Sequence, residues 1–209
     1  MKVIICCEGS TDVGPLTVFM KKCARLNTEI DCRTREDLRR TKVLNTGFCK
    51  NILKNNDQIT RIISIRKLHF LAVVSGNKHI AFHQDSDNHG VRKIYNDVHN
   101  DFNKVLPPEI KRLAIVPKEM IESWLLADVK AINLLSDGSK VNQSPNPESI
   151  NDPKTYLKRN LAKIGVESNS IIYARIAENT DIDVVKSRCP ESFGQFYTDM
   201  QSFIQETNP

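Results

Sequence analysis

Lys2 to Cys7 is an unbroken apolar run of β-branched and small residues that stops at Glu8-Gly9-Ser10, the pattern of a strand buried on both faces of a parallel sheet. Leu16, Phe19, Met20, Cys23 and Leu26 then recur at helical spacing, with Ser10, Thr11 and Asp12 as N-cap candidates and Pro15 tolerated in a first turn. A short second strand is expected over Glu29 to Arg33. Phe48 through Val74 reads as helical, its clearest stripe being Ile62, Ile65, Leu68, Leu71 and Ala72 before a stop at Gly76. His79 to Gln84 is the third strand, running into Asp85-Ser86-Asp87-Asn88. Val91 to Leu106 is an amphipathic helix closed by Pro107-Pro108, Arg112 to Val116 the fourth strand, and Lys118 to Asp128 a helix leaving it.

Strands that alternate with helices favour a parallel α/β sheet with right-handed crossovers. Past Leu135 the texture changes. Residues Ser136 to Pro153 are rich in Ser, Asn, Pro, Asp and Gly and read as one long loop. Helices are expected over Pro153 to Ile164, Ile171 to Glu178, Ile182 to Arg188 and Pro190 to Gln205. The fold class is therefore α/β, with a sheet domain over 1–135 and a loop plus helical extension over 136–209 packed as a cap on that domain.

Composition narrows the class. The 209 residues, 40% hydrophobic and 26% charged, can bury a full core, which excludes a disordered tail or a disulfide miniprotein. No apolar run approaches the roughly 20 residues that cross a bilayer, and the N-terminus has neither a basic n-region nor a cleavage site, so a cytoplasmic protein with no membrane partner is expected. The six cysteines make no C-x-x-C pair and read as reduced, mostly buried side chains.

The net charge of +5 is unevenly spread. Arg33 to Lys67 holds ten basic residues against three acidic ones, whereas Glu178 to Pro209 holds two against six. Arg39, Arg40, Arg66 and Lys67 in the basic stretch are candidates to track a nucleic-acid backbone; a solvated surface is the alternative.

In an open parallel sheet the functional crevice lies beyond the carboxyl ends of the strands, and this chain places acids there. Glu8 follows strand one and Asp12 comes four residues later. Asp85 and Asp87 follow strand three, and Glu119 and Glu122 come after strand four. Any one of these could be a turn acid or a helix cap. Gathered together they would repel unless a cation neutralised them, and an oxygen-rich set suits Mg²⁺ or Mn²⁺. His83, Asp85, Asp87 and His89 alternate as transition-metal ligands could, but His83 belongs to the strand and His89 to the loop after it. Trp124, followed by Leu125 and Leu126, reads as core rather than as a base-stacking platform.

Glu8-Gly-Ser-Thr-Asp12 and Asp85-Ser-Asp87, in this strand order, resemble a Toprim domain, the catalytic fold of topoisomerases, primases and the overcoming-lysogenization-defect (OLD) nucleases; the E-G-x-x-D spacing is closest to the last. Val116-Pro-Lys-Glu-Met-Ile-Glu-Ser-Trp-Leu-Leu-Ala-Asp128, Asp152-Pro-Lys-Thr-Tyr-Leu157 and Arg188-Cys-Pro-Glu-Ser-Phe193 resemble the Toprim-like domain of unknown function 4276 family. Ser123 stands where that family has alanine, and Glu191 is inserted in the last motif. Residues 28–77 carry no matching motif.

The resemblance implies a Toprim-like (Rossmann-like) four-stranded parallel sheet and metal-dependent phosphoryl transfer, with a nuclease the natural activity and a mobile-element or defence system the setting. It implies that Glu8, Asp85 and Asp87 are catalytic and bind metal with Asp12, completed by Glu119 or Glu122. Lys118, Lys154 and Lys158 are candidates for phosphate contact. Two other readings stay open: a phosphohydrolase acting on a nucleotide or small phosphate ester, and a noncatalytic accessory subunit beside a protein partner. No Walker loop is present, so an ATP-driven step would fall to a partner ATPase.

Overall fold

The computed structural model describes residues 1–24, 27–41 and 57–205. Leu26, Cys49, residues 48–56 of the helix expected over Phe48 to Val74, and Lys42, Lys50, Lys54 and Glu206 of the charge count lie outside these residues. Four strands, β1 (Lys2–Cys7), β2 (Glu29–Thr34), β3 (His79–His83) and β4 (Lys111–Ile115), form one sheet in the order β2-β1-β3-β4. Every pairing is parallel, with Cys7 opposite Thr34, Cys6 opposite Phe82 and His83 opposite Ile115. All four carboxyl ends therefore meet at one rim. The β1/β3 boundary, where strand order reverses, is where such sheets open a crevice.

Strand alternation divides the core in two. Val3, Ile5, Cys7, Ala81, Leu113 and Ile115 face α1 (Val13–Ala24) and the C-terminal helices. Ile4, Cys6, Ile80, Phe82, Ala114 and Val116 face α2 (Arg35–Arg40), α3 (Asp57–Val74) and α4 (Val91–Val105). Within the second core, fully buried Asp101 pairs with Arg61 at 2.6 Å, and Arg61 also donates to Gln84 Oε1 at 3.2 Å. That charge is thus satisfied and, through Gln84, tied to the loop after β3.

Two elements differ from the sequence reading. The short helix α2 was not expected; Thr34 and Asp37 form a capping box, Thr34 Oγ1 accepting from Asp37 N at 3.1 Å and Asp37 Oδ2 from Thr34 N at 2.8 Å. The helix expected over Lys118 to Asp128 shrinks to α5 (Glu122–Leu125), followed by α6 (Val129–Asn133). Glu119 has φ +57°, which no right-handed helix accommodates, so residues 118–121 turn instead. Glu119 and Glu122 are therefore not on one helical face.

The long loop contains one 3₁₀ turn, Pro147–Ser149. Beyond it α7 (Pro153–Lys163), α8 (Ser170–Asn179), α9 (Ile182–Arg188) and α10 (Phe193–Gln205) share the first core. Trp124 is fully buried there, edge-on to Phe19 and Phe193 and stacked on Phe196. Among the described residues Cys6, Cys7, Cys23, Cys32 and Cys189 form no disulfide. Among the described residues no helix is long and apolar enough to cross a membrane. The architecture is an α/β layer with an all-parallel sheet, consistent with a Rossmann-like or Toprim-like arrangement.

Candidate functional site

Adjacency of β1 and β3 brings the first acids together. Glu8, one residue past β1, accepts through Oε2 from the Asp85 backbone N–H at 2.9 Å. Its other oxygen, Oε1, meets Arg35 Nη1 at 2.9 Å. Beneath them lies His83, the fully buried last residue of β3. Its Nδ1 accepts from the Glu8 N–H at 3.3 Å, so in the neutral ring Nε2 carries the proton and donates to Asp85 Oδ1 at 3.1 Å. Burial pulls the His83 pKa down, but the Asp85 hydrogen bond and charge, joined by Asp12 and Glu8, leave it raised.

Asp12 sits just ahead of α1, buried, with Oδ2 turned back to accept from Gly9 N–H at 2.8 Å and 3.8 Å from His83 Nδ1. Asp87 and Glu119 face each other across an isolated antiparallel bridge, Asp87 N–H donating to Glu119 O at 3.2 Å. Buried Ser86 completes the stitch, its Oγ accepting from Glu119 N–H at 2.9 Å. Both bridge residues have positive φ, +44° and +57°, a conformation that costs a non-glycine residue about 1 kcal/mol or more and that concentrates at functional loops.

Glu122 opens α5 and is 2% exposed. Burial, with Asp85 and Asp12 adding to it, pushes its carboxyl up to about 7, opposed by a backbone hydrogen bond and Lys154. Burial is also the leading cause that raises Glu8, Asp87 and Glu119. Asp85 adds to the rise in all three, so one carboxylate is felt by acids from three strand ends.

The six acids thus converge on one rim. Their donor set is hard oxygen throughout, with mutual repulsion that a divalent ion would relieve, and that chemistry fits Mg²⁺ or Mn²⁺. Among the described residues no three His, Cys, Asp or Glu side chains stand close enough together to hold an ion as they are. Glu8 and Asp85 are instead engaged by Arg35 and His83.

The candidate cations scatter. Lys118 is held by Glu191 at 2.7 Å, the residue inserted in the last motif. Lys154 is close enough to bear on Glu122, while Lys158 is exposed on α7. Arg39 and Arg40 are exposed and both pair with Glu36. Lys67 donates to the Leu38 and Arg39 carbonyls at the end of α2, and Arg66 is exposed on α3. Among the described residues Arg35, only counted with the basic stretch in the sequence, is the arginine that pairs directly with one of these acids. The signal for it was register: Thr34 lies opposite Cys7, which carries Arg35 alongside Glu8.

The later motifs hold the site from behind. Trp124 Nε1 donates to Ser192 Oγ at 2.7 Å, and Glu148 accepts from Ser192 Oγ, Ser192 N and Glu191 N. Asp152 caps α7 through Thr155 N, fixing the turn that presents Lys154. Compared with curated proteins and with solved structures, the chain matches none. The sequence model of one family, described as Domain of unknown function (DUF4276), matches residues 8–201, which takes in all six acids and the Trp124, Asp152 and Ser192 segments. The chain belongs to that family.

Proposed function

We propose that this chain is a Mg²⁺- or Mn²⁺-dependent phosphoryl-transfer enzyme of Toprim-like design, a nuclease that cleaves nucleic-acid phosphodiesters. The observation that carries the reading is the 2.9 Å bond from Asp85 N–H to Glu8 Oε2, which joins the acid-bearing ends of β1 and β3 in a field that Glu122 and Glu119 also feel. Glu8, Asp85 and Asp87, with Asp12, Glu119 and Glu122, are the residues that would hold the ion. When bound, a divalent ion polarises a phosphoryl oxygen and lowers the pKa of water.

The chain's own part is positional. His83 orients Asp85 and fixes the Glu8 backbone. The Ser86–Glu119 stitch holds the β3 and β4 loops in one register, and Lys154 offsets the charge of Glu122. The basic stretch from Arg33 to Lys67 is suited to a polyanion, and a partner ATPase would have to supply any ATP-driven step.

The purified chain, given Mn²⁺ or Mg²⁺, should cleave plasmid, single-stranded DNA or RNA and stop on chelation. Glu8→Gln and Asp85→Asn should each lower the rate by about a hundredfold or more while far-UV circular dichroism is unchanged. Cleavage by either variant at the wild-type rate would sink the site. Turnover confined to mononucleotides or small phosphate esters would move the substrate class, and salt-sensitive binding with no turnover would make the chain an accessory subunit.

A further inference from the structure

We infer that Arg35 is the resident counter-cation of Glu8, displaced when a divalent ion takes that carboxylate, and that its freed guanidinium then binds a phosphate oxygen of the substrate. The inference rests on the metal reading above and adds to it a residue and an order of events.

Three observations carry it. First, Glu8 has its Oε2 committed to the Asp85 backbone and its Oε1 2.9 Å from Arg35 Nη1. An ion arriving at Glu8 meets a like charge at that oxygen, and a doubly charged ion competes for it better than a guanidinium does. Second, the Arg35 and Glu8 side chains are 23% and 32% exposed, so the pair is reached by solvent and by an incoming ion. Third, Arg35 Nε is buried with no hydrogen-bond partner. A buried donor without an acceptor is costly, so a guanidinium released from Glu8 gains by turning that Nε outward, where Nε and an Nη together make the two-pronged edge that matches a phosphate.

The backbone keeps Arg35 in place for either role. It is the first residue of α2, where the Thr34–Asp37 capping box fixes the turn, and its guanidinium carbon lies 5.9 Å from the centre of the Phe82 ring. The charge reaches beyond Glu8, since Arg35 also opposes the rise of Asp87. One cation thus sits between acids of the β1 and β3 ends.

The test separates the exchange from the metal reading and from misfolding. Mn²⁺ affinity is measured by calorimetry, without nucleic acid, on wild type, Arg35→Ala, Arg35→Lys and Glu8→Gln. Binding of a single-stranded DNA oligonucleotide in Ca²⁺ is measured on the same proteins. Arg35→Ala should bind Mn²⁺ about tenfold tighter than wild type, a gain that loss of structure does not produce, and should bind the oligonucleotide about tenfold more weakly. Arg35→Lys keeps the charge without the fork, so its Mn²⁺ affinity should stay near wild type while oligonucleotide binding falls. Mn²⁺ affinity unchanged or reduced in folded Arg35→Ala overturns the exchange, and oligonucleotide binding unchanged in it overturns the phosphate contact. Equal Mn²⁺ binding by wild type and Glu8→Gln, or binding by neither, overturns the metal reading and the exchange with it.

Discussion

Glu122 is a carboxyl group nearly cut off from water, and its raised proton affinity has a cost that pH exposes. Below the ordinary value of 4.5 the group is protonated whether the chain is folded or not; as pH rises toward about 7 the unfolded chain ionises first, and folding loses stability. In metal-free buffer at pH 8, Glu122→Gln should therefore be about 1–3 kcal/mol more stable than wild type, with the gap closing as the pH falls to 4.5. Urea titrations across that range check it, and parallel profiles for the two proteins would show Glu122 to be solvated. His83 is the neighbouring opposite: buried just as deeply, it is satisfied on both ring nitrogens by Glu8 N–H and Asp85. Acids after strands were legible in the sequence because residue type and position alone identify them. Arg35 and His83 were not, since their roles depend on which strand lies beside which.

At the scale of elements, α5 is only four residues long and cannot hold its own axis. Its direction comes from outside, through Trp124 on Ser192 and Ser192 on Glu148. Ser192→Ala would leave the Trp124 indole N–H buried without an acceptor, so it should cost about 1–3 kcal/mol in urea unfolding. Combined with Glu148→Gln, the loss should fall short of the sum of the two, since both cut the same chain of bonds. A fully additive double mutant would mean that Ser192 and Glu148 act independently rather than as one chain of bonds. The strands and the longer helices were readable because apolar runs and 3.6-residue stripes bury one face. The Lys118 to Asp128 segment misled because its apolar residues suit a helix, while Glu119 is bound backward to Ser86 and Asp87 instead. The capping box that begins α2 was visible as Thr34-x-x-Asp37 but lay within a charged stretch without apolar period.

Across the whole molecule, residues from both sides of the long loop fill one core. Leu16, Phe19 and Trp124 pack with Tyr173, Phe193 and Phe196, so the C-terminal helices complete the sheet's first face. Far-UV circular dichroism and the near-UV signal of Trp124 should consequently lose amplitude at one shared midpoint on heating, and a chain ended before Pro147 should not regain that near-UV signal. Separate midpoints would mean that 1–135 and 136–209 fold independently. The sheet also gives the protein two unlike ends. Every acid of the site follows a strand, whereas Met1, Asn27, Asn77 and Ile110 precede or join strand starts, about 20 Å away along the six residues of β1. A tether, fluorophore or surface attachment at Met1 therefore leaves the acidic rim facing solution, where single-molecule or immobilised assays can reach it.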